Sequence, residues 1–351
     1  MPTTVSASAD IRSQMTANEH IHGFDWLRAV FSVAVVVVHL GYLSPSLIFD
    51  RARWPDHVFA WSDAVNFYGL LLAVPVFVMM SCFLLAKSPQ PKLGKRIWRI
   101  GRLFVFWGVL LNLFQYGVTD TIRQIPKQPL DLMLYLASGF RTPFYFFFSL
   151  MIMLALTAWA QAKSTKIVTT LLLASIVLVG FLPVVARFTG RSEWCHIAMP
   201  LNYIPYPFAA VIALRVPPSK FQALMGLLLA AGLMTAILDW SIYIDPLFFG
   251  VNSFPLPTYA RPSLVFLAVA VVVAATRFDV KPGWMVKHMS EHSLALYCLH
   301  PFALLAALKF TNTLGLRGMA DLLTSLVLIL ILSYSLSYWV LPHFFKRELF
   351  H

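Results

Sequence analysis

The sequence predicts an all-helical, polytopic integral membrane protein, with about ten transmembrane helices around a polar cavity and both termini in the cytoplasm. Three observations lead there. The 351 residues are 59% hydrophobic and only 12% charged, a balance that a water-soluble domain could not bury. Ten apolar stretches approach or reach the length needed to cross about 30 Å of hydrocarbon. The net charge of +12 is unevenly placed. With an inside amino terminus, alternate loops hold most of the Lys and Arg while the intervening loops are nearly balanced, which orients the chain. In a bilayer protein such an excess marks topology and does not suggest nucleic acid.

In chain order the spans are expected at 24–43, 64–86, 97–117, 142–161, 166–186, 198–214, 221–238, 259–276, 293–310 and 321–342. The first carries Asp25, Arg28, Ser32 and His39 on an otherwise apolar helix, and the second holds Cys82. The third is entered through a run of six cations, Lys87, Lys92, Lys95, Arg96, Arg99 and Arg102. The fourth begins in "RTPFYFFFSL", and the next four are apolar runs. The ninth carries Tyr297 and His300; the tenth leaves only "HFFKRELFH". The expected organisation is a polar, disordered cytoplasmic tail at 1–23, one transmembrane domain at 24–342 and a short cytoplasmic tail at 343–351. The first span lacks a small-residue cleavage site and is not read as a removable signal. The segment 128–140 is too short and polar to span, and is expected at the outer interface or as a re-entrant piece.

The polar residues of the first span share a face. Eleven helical steps from Arg28 to His39 make three turns plus roughly 20°, and separate the two by roughly 16 Å along the axis. Asp25 and Ser32 fall within about 40° of the same stripe. An intramembrane Arg needs a partner or a water-filled cavity. Asp25 could be that partner. An imidazole at residue 39 could take a proton from a hydroxyl, or could hydrogen-bond a neighbouring helix.

Arg96, Arg99 and Arg102 recur every three residues and form a ridge beside Lys95. Such a ridge suits phosphate groups, although a loop of this charge also serves topology and anionic lipid headgroups. Tyr297 and His300 share a face of the ninth span, where they could line a channel or bond neighbouring helices. On helical rise alone, His300 should lie roughly 10 Å from the cytoplasmic boundary and His39 roughly 22 Å, so the two are not expected to touch. His20 and His22 fall in the tail and the remaining histidines are dispersed, so no metal site is expected. Cys82, Cys195 and Cys298 read as small packing residues.

The Arg, ten residues, His pattern of the first span resembles the signature of the membrane-bound acyltransferase-3 family. "PVFVMMSCFLL" at 75–85, "KRIWRIGRLFVFW" at 95–107 and "SEHSLALYCLHPF" at 290–302 resemble its second span, the basic start of its third, and its late Ser, Tyr, His-Pro motif. Cys82 stands where the family usually has Gly, and "RTPFYFFFSL" lacks a His and a Trp-Phe pair common there. The resemblance implies O-acyl transfer, acetyl as the usual group, from coenzyme A thioester to a carbohydrate hydroxyl. His39 and Arg28 would be catalytic; Lys95, Arg96, Arg99 and Arg102 would bind the donor; Asp25, Ser32, Tyr297 and His300 would line the substrate path.

On this reading acetyl-CoA is a substrate, and no tightly bound cofactor is expected. The other partners are a cell-surface or lipid-linked carbohydrate and the lipid bilayer, with polysaccharide-assembly proteins or a second copy as further associates. The expected location is the bacterial inner membrane. With no soluble domain to pass the acyl group on, direct transfer to a surface glycan such as an exopolysaccharide is expected. A transporter or flippase for a lipid-linked glycan is the rival, because ionisable residues in spans also mark transport paths.

Overall fold

The computed structural model describes residues 20–43, 65–88, 92–243 and 258–340. Most of the tails expected at 1–23 and 343–351 lies outside these residues. Ordered apolar runs form helices because a backbone in hydrocarbon has no other partners for its N–H and C=O groups. In chain order the α-helices are α1 (His22–Leu43), α2 (Ala73–Lys87), α3 (Leu93–Arg123), α4 (Pro129–Ala137), α5 (Tyr145–Gln161) and α6 (Thr165–Thr189). They continue with α7 (Pro205–Arg215), α8 (Phe221–Tyr243), α9 (Pro262–Ala275), α10 (Trp284–Glu291), α11 (Ser293–Thr313) and α12 (Gly318–Ser335). A single π turn at Val65–Gly69 and a 3-10 turn at Leu70–Leu72 lead into α2. There is no strand among the described residues.

Among the described residues, eight helical segments are long and apolar enough to cross a membrane, and α5 and α9 are shorter apolar helices. The chain is thus an all-α, multi-pass membrane protein. The segment expected at the interface contains only the nine-residue α4. The third span is longer than expected, because helix continues past Gly117. There the backbone leaves helical geometry at φ 72° and ψ 177°, a conformation glycine tolerates without a Cβ clash.

Helix α2 is the centre of the bundle, packed by α1, α5, α7 and α9, and most of its side chains are buried, including Val76, Val78, Met79, Cys82 and Leu85. By contrast α8 and α12 bury few residues, and α8 leaves Leu233 63% and Met234 72% exposed. Those side chains need lipid. Helix ends alternate as a serpentine chain requires. Gln161 donates to the Ala86 carbonyl at 2.8 Å, and Arg215 to the carbonyls of Gln161 and Lys163 at 3.1 and 2.9 Å, tying α2, α5 and α7 at the basic end. At the other end Arg261 donates to the Phe67 carbonyl at 2.7 Å.

Close approach fixes where α1 begins. A Cβ on Gly23 would lie 2.1 Å from the Ala275 carbonyl oxygen, backbone that cannot step aside. Gly23→Ala should therefore cost about 1–3 kcal/mol, read as a lower melting temperature in detergent. Gly94→Ala, which meets nothing within 4 Å, should show no such loss and serves as the control.

Candidate active site

A half-open cavity of about 650 Å³ lies at the basic end of the bundle, within the range of small-molecule sites. Its polar lining includes Arg28 from α1, Lys87 from α2 and Arg96 and Arg99 from α3. Its other wall holds Phe146 and Phe147 from α5 and Ser293 and Tyr297 from α11. Four cations thus share one cavity with a wall of aromatic side chains.

The arginine ridge is divided. Arg96 and Arg99 reach the cavity, whereas Arg102 is exposed and its guanidinium lies 5.8 Å from the Trp98 ring on the outer side of α3. Lys95 is also exposed and outside the cavity lining. The drift of about 60° per three residues is enough to turn one end of the ridge away from the bundle.

Asp25 anchors Arg28. Arg28 Nη1 donates to Asp25 Oδ1 at 3.5 Å, and the Asp25 carboxylate also accepts from Ser290 Oγ at 2.9 Å. Both readings of Arg28 therefore hold: it pairs with Asp25 and it lines the cavity. Ser290, which opens the late "SEHSLALYCLHPF" stretch, was not singled out from the sequence; its position in that stretch was the available signal. Ser32 turns back on its own helix, donating to the Ala29 carbonyl at 3.0 Å.

The expectation of no metal-ligand grouping is corrected at the start of α1. His20, His22 and Asp25 bring one ligand atom each within 4.8 Å of one another, and His20 Nε2 lies 2.6 Å from Asp25 Oδ2. His20 and His22 do not belong to a free tail; His22 opens α1, and the His20 side chain, just ahead of it, reaches the carboxylate in its first turn. Asp25 is already engaged by Arg28 and Ser290.

A second correction concerns the two intramembrane histidines. His39 and His300 are neighbours, with ring centroids 4.9 Å apart and planes inclined by 39°. The expectation that they would not touch measured both helices from an assumed common boundary. Residues 284–291 instead form α10, which docks on α1 and sets Ser290 level with Asp25. From that level His300 is ten residues, or about 15 Å, into the bundle and His39 fourteen residues, or about 21 Å.

Neither histidine lines the cavity. Tyr297 stands between, on the cavity wall and 5.7 Å from the His300 ring. Its hydroxyl donates to the Pro143 carbonyl, and Phe144, Phe146 and Phe147 surround its ring edge-on at 6.1, 5.3 and 5.4 Å. The stretch "RTPFYFFFSL" thus forms the aromatic partition next to the histidines. Cys82, Cys195 and Cys298 are free and buried.

A cationic cavity on one side of an aromatic partition and paired imidazoles on the other can hold an anionic donor near a proton acceptor. The acyltransferase-3 family model, described as an acyltransferase domain, matches residues 21–341. The chain belongs to the membrane acyltransferase-3 family. No curated protein and no solved structure matches it. In this acyltransferase the matched region takes in every described membrane-spanning helix and every site residue described above except His20, so acyl transfer is the activity the site must explain. The transporter reading has no comparable support.

Proposed function

We propose that this acyltransferase moves an acyl group, acetyl by resemblance, from acyl-coenzyme A to a hydroxyl of a cell-surface or lipid-linked carbohydrate at the bacterial inner membrane. The observation that carries the reading is the cavity lined by Arg28, Lys87, Arg96 and Arg99. A neutral sugar has no use for four cations, whereas the phosphates of coenzyme A do, held as charge-assisted pairs by guanidinium forks. The aromatic wall of Phe146, Phe147 and Tyr297 then suits the apolar pantetheine and acyl end.

His39 is the general base. It takes the proton of the acceptor hydroxyl as the oxygen attacks the thioester carbonyl. The carbon–oxygen bond forms, the carbon–sulfur bond breaks, and the departing thiolate receives that proton from His39, so an ester and a free thiol are the products. Arg28 sits roughly 16 Å along the helix from His39. A stabiliser of the reacting oxygen must approach within about 3 Å of it. Arg28 therefore belongs to the phosphates and not to the carbonyl. Arg102 and Lys95 have the weaker claim to the donor, since they lie outside the cavity.

Replacing Arg96 and Arg99 together with Gln should raise the donor KM about 10-fold or more with little change in kcat, because contacts made equally in ground and transition states are lost. Lys at both positions should restore only part of the affinity, lacking the fork. Steady-state kinetics on purified, reconstituted protein with varied acyl-coenzyme A checks this. Unaltered donor affinity in a correctly inserted double variant would refute the donor assignment.

A further inference from the structure

His300 is 1% exposed and lies against His39. Its Nδ1 is 2.8 Å from the Tyr297 carbonyl oxygen and 3.3 Å from that of Leu296. A carbonyl only accepts, so Nδ1 carries the hydrogen and the neutral ring has its lone pair on Nε2. The next residue explains why that carbonyl is available. Pro301 lies inside α11 and has no N–H to donate four residues back, which leaves the Tyr297 carbonyl for the histidine ring. The His-Pro dipeptide thereby locks one tautomer. Nε2 is buried and has no hydrogen-bond partner among the described residues. A doubly protonated ring would bury a charge and an unbonded N–H at that point, which is costly.

We propose that His300 is the positioning residue for His39: its Nε2 lone pair accepts the N–H of His39, so that the other nitrogen of His39 faces the acceptor hydroxyl as a lone pair. This rests on His39 being the base. Rings 4.9 Å apart at 39° are close enough that turning His39 toward Nε2 brings N–H onto N. When His39 takes the hydroxyl proton, its positive charge is shared through the bond to His300, and the proton itself returns from His39 to the thiolate. The arrangement follows the logic of nucleophile, base and orienting group, with a neutral imidazole as the third member. In an apolar interior that choice avoids burying a carboxylate.

The test uses full-length protein in lipid nanodiscs with ring-15N histidine, in which proton–nitrogen correlations distinguish Nδ1–H from Nε2–H. His39→Ala and His300→Phe assign the two rings by the signals they remove. Wild type should show His300 as the Nδ1–H form and His39 as a single tautomer. In His300→Phe, His39 should become a mixture, and kcat should fall about 10-fold or more, within the at least 100-fold expected for the base itself, at unchanged donor KM. His300→Gln, whose amide oxygen can accept the same bond, should recover part of kcat and the single His39 tautomer. Pro301→Ala restores a competing N–H for the Tyr297 carbonyl and should release His300 into a mixture even if His300→Phe fails to fold. An Nε2–H form of His300 in wild type, a His39 signal indifferent to His300→Phe, or turnover unmoved by that variant would overturn the proposal. If His39→Ala retains turnover, the reading of His39 as base falls, and the proposed positioning role falls with it; an intact tautomer coupling would then show that the base assignment, not the contact, was at fault.

Discussion

His39→Ala is expected to lower the rate of acyl transfer by at least about 100-fold, the low end of general-base contributions, with donor binding intact. The substitution removes a proton acceptor without burying a new charge, and it leaves Arg28, Lys87, Arg96 and Arg99 around the cavity untouched. A 100-fold loss corresponds to about 2.7 kcal/mol of transition-state stabilisation. The signature is therefore a fall in kcat at constant donor KM, measured as free thiol released from acyl-coenzyme A in the presence of acceptor. Near-normal turnover in a folded His39→Ala protein would make His39 a packing residue and remove the base from the mechanism.

Product should form in sealed vesicles only when donor and acceptor are supplied on opposite faces, an all-or-none difference. The cavity lies at the end where Ala86, Gln161 and Arg215 meet, the end expected in the cytoplasm from the loop charges. Acyl-coenzyme A is expected on that side. His39 is near the far end of α1, four residues before Leu43. The roughly 16 Å from Arg28 to His39 along the helix is comparable with the reach of an extended pantetheine arm, and protein rather than lipid would line that path. On the proposed reading the thioester passes Tyr297 and the phenylalanines around it. Reconstitution in vesicles of known orientation measures this, with each substrate confined to a chosen side. Turnover with both substrates on the basic-cavity side and none across the membrane would overturn the two-sided arrangement.

The sequence by itself determined the helices and most of their limits. Each apolar run satisfies its own backbone within one helix, so span length and position are local properties that hydropathy reports. The first, second, fifth and ninth spans were expected at 24–43, 64–86, 166–186 and 293–310, and the corresponding helical segments are His22–Leu43, Val65–Lys87, Thr165–Thr189 and Ser293–Thr313. The stripe joining Arg28 and His39 was equally legible, because side chains on one helix obey one periodicity.

Tertiary structure alone decided which residues of different helices meet. Arg96 and Arg99 face the cavity while Arg102 leans on Trp98: the spacing makes the ridge drift, but how α3 packs against α5 decides which end of it meets the cavity. His20 and His22 join Asp25 because the His20 side chain, just ahead of α1, reaches the carboxylate in the first turn of the helix. His39 meets His300 because α10 docks on α1 through Ser290 and Asp25, 265 residues apart in sequence. Axial register and tilt between helices arise from packing between distant segments, and no periodicity within either helix encodes them.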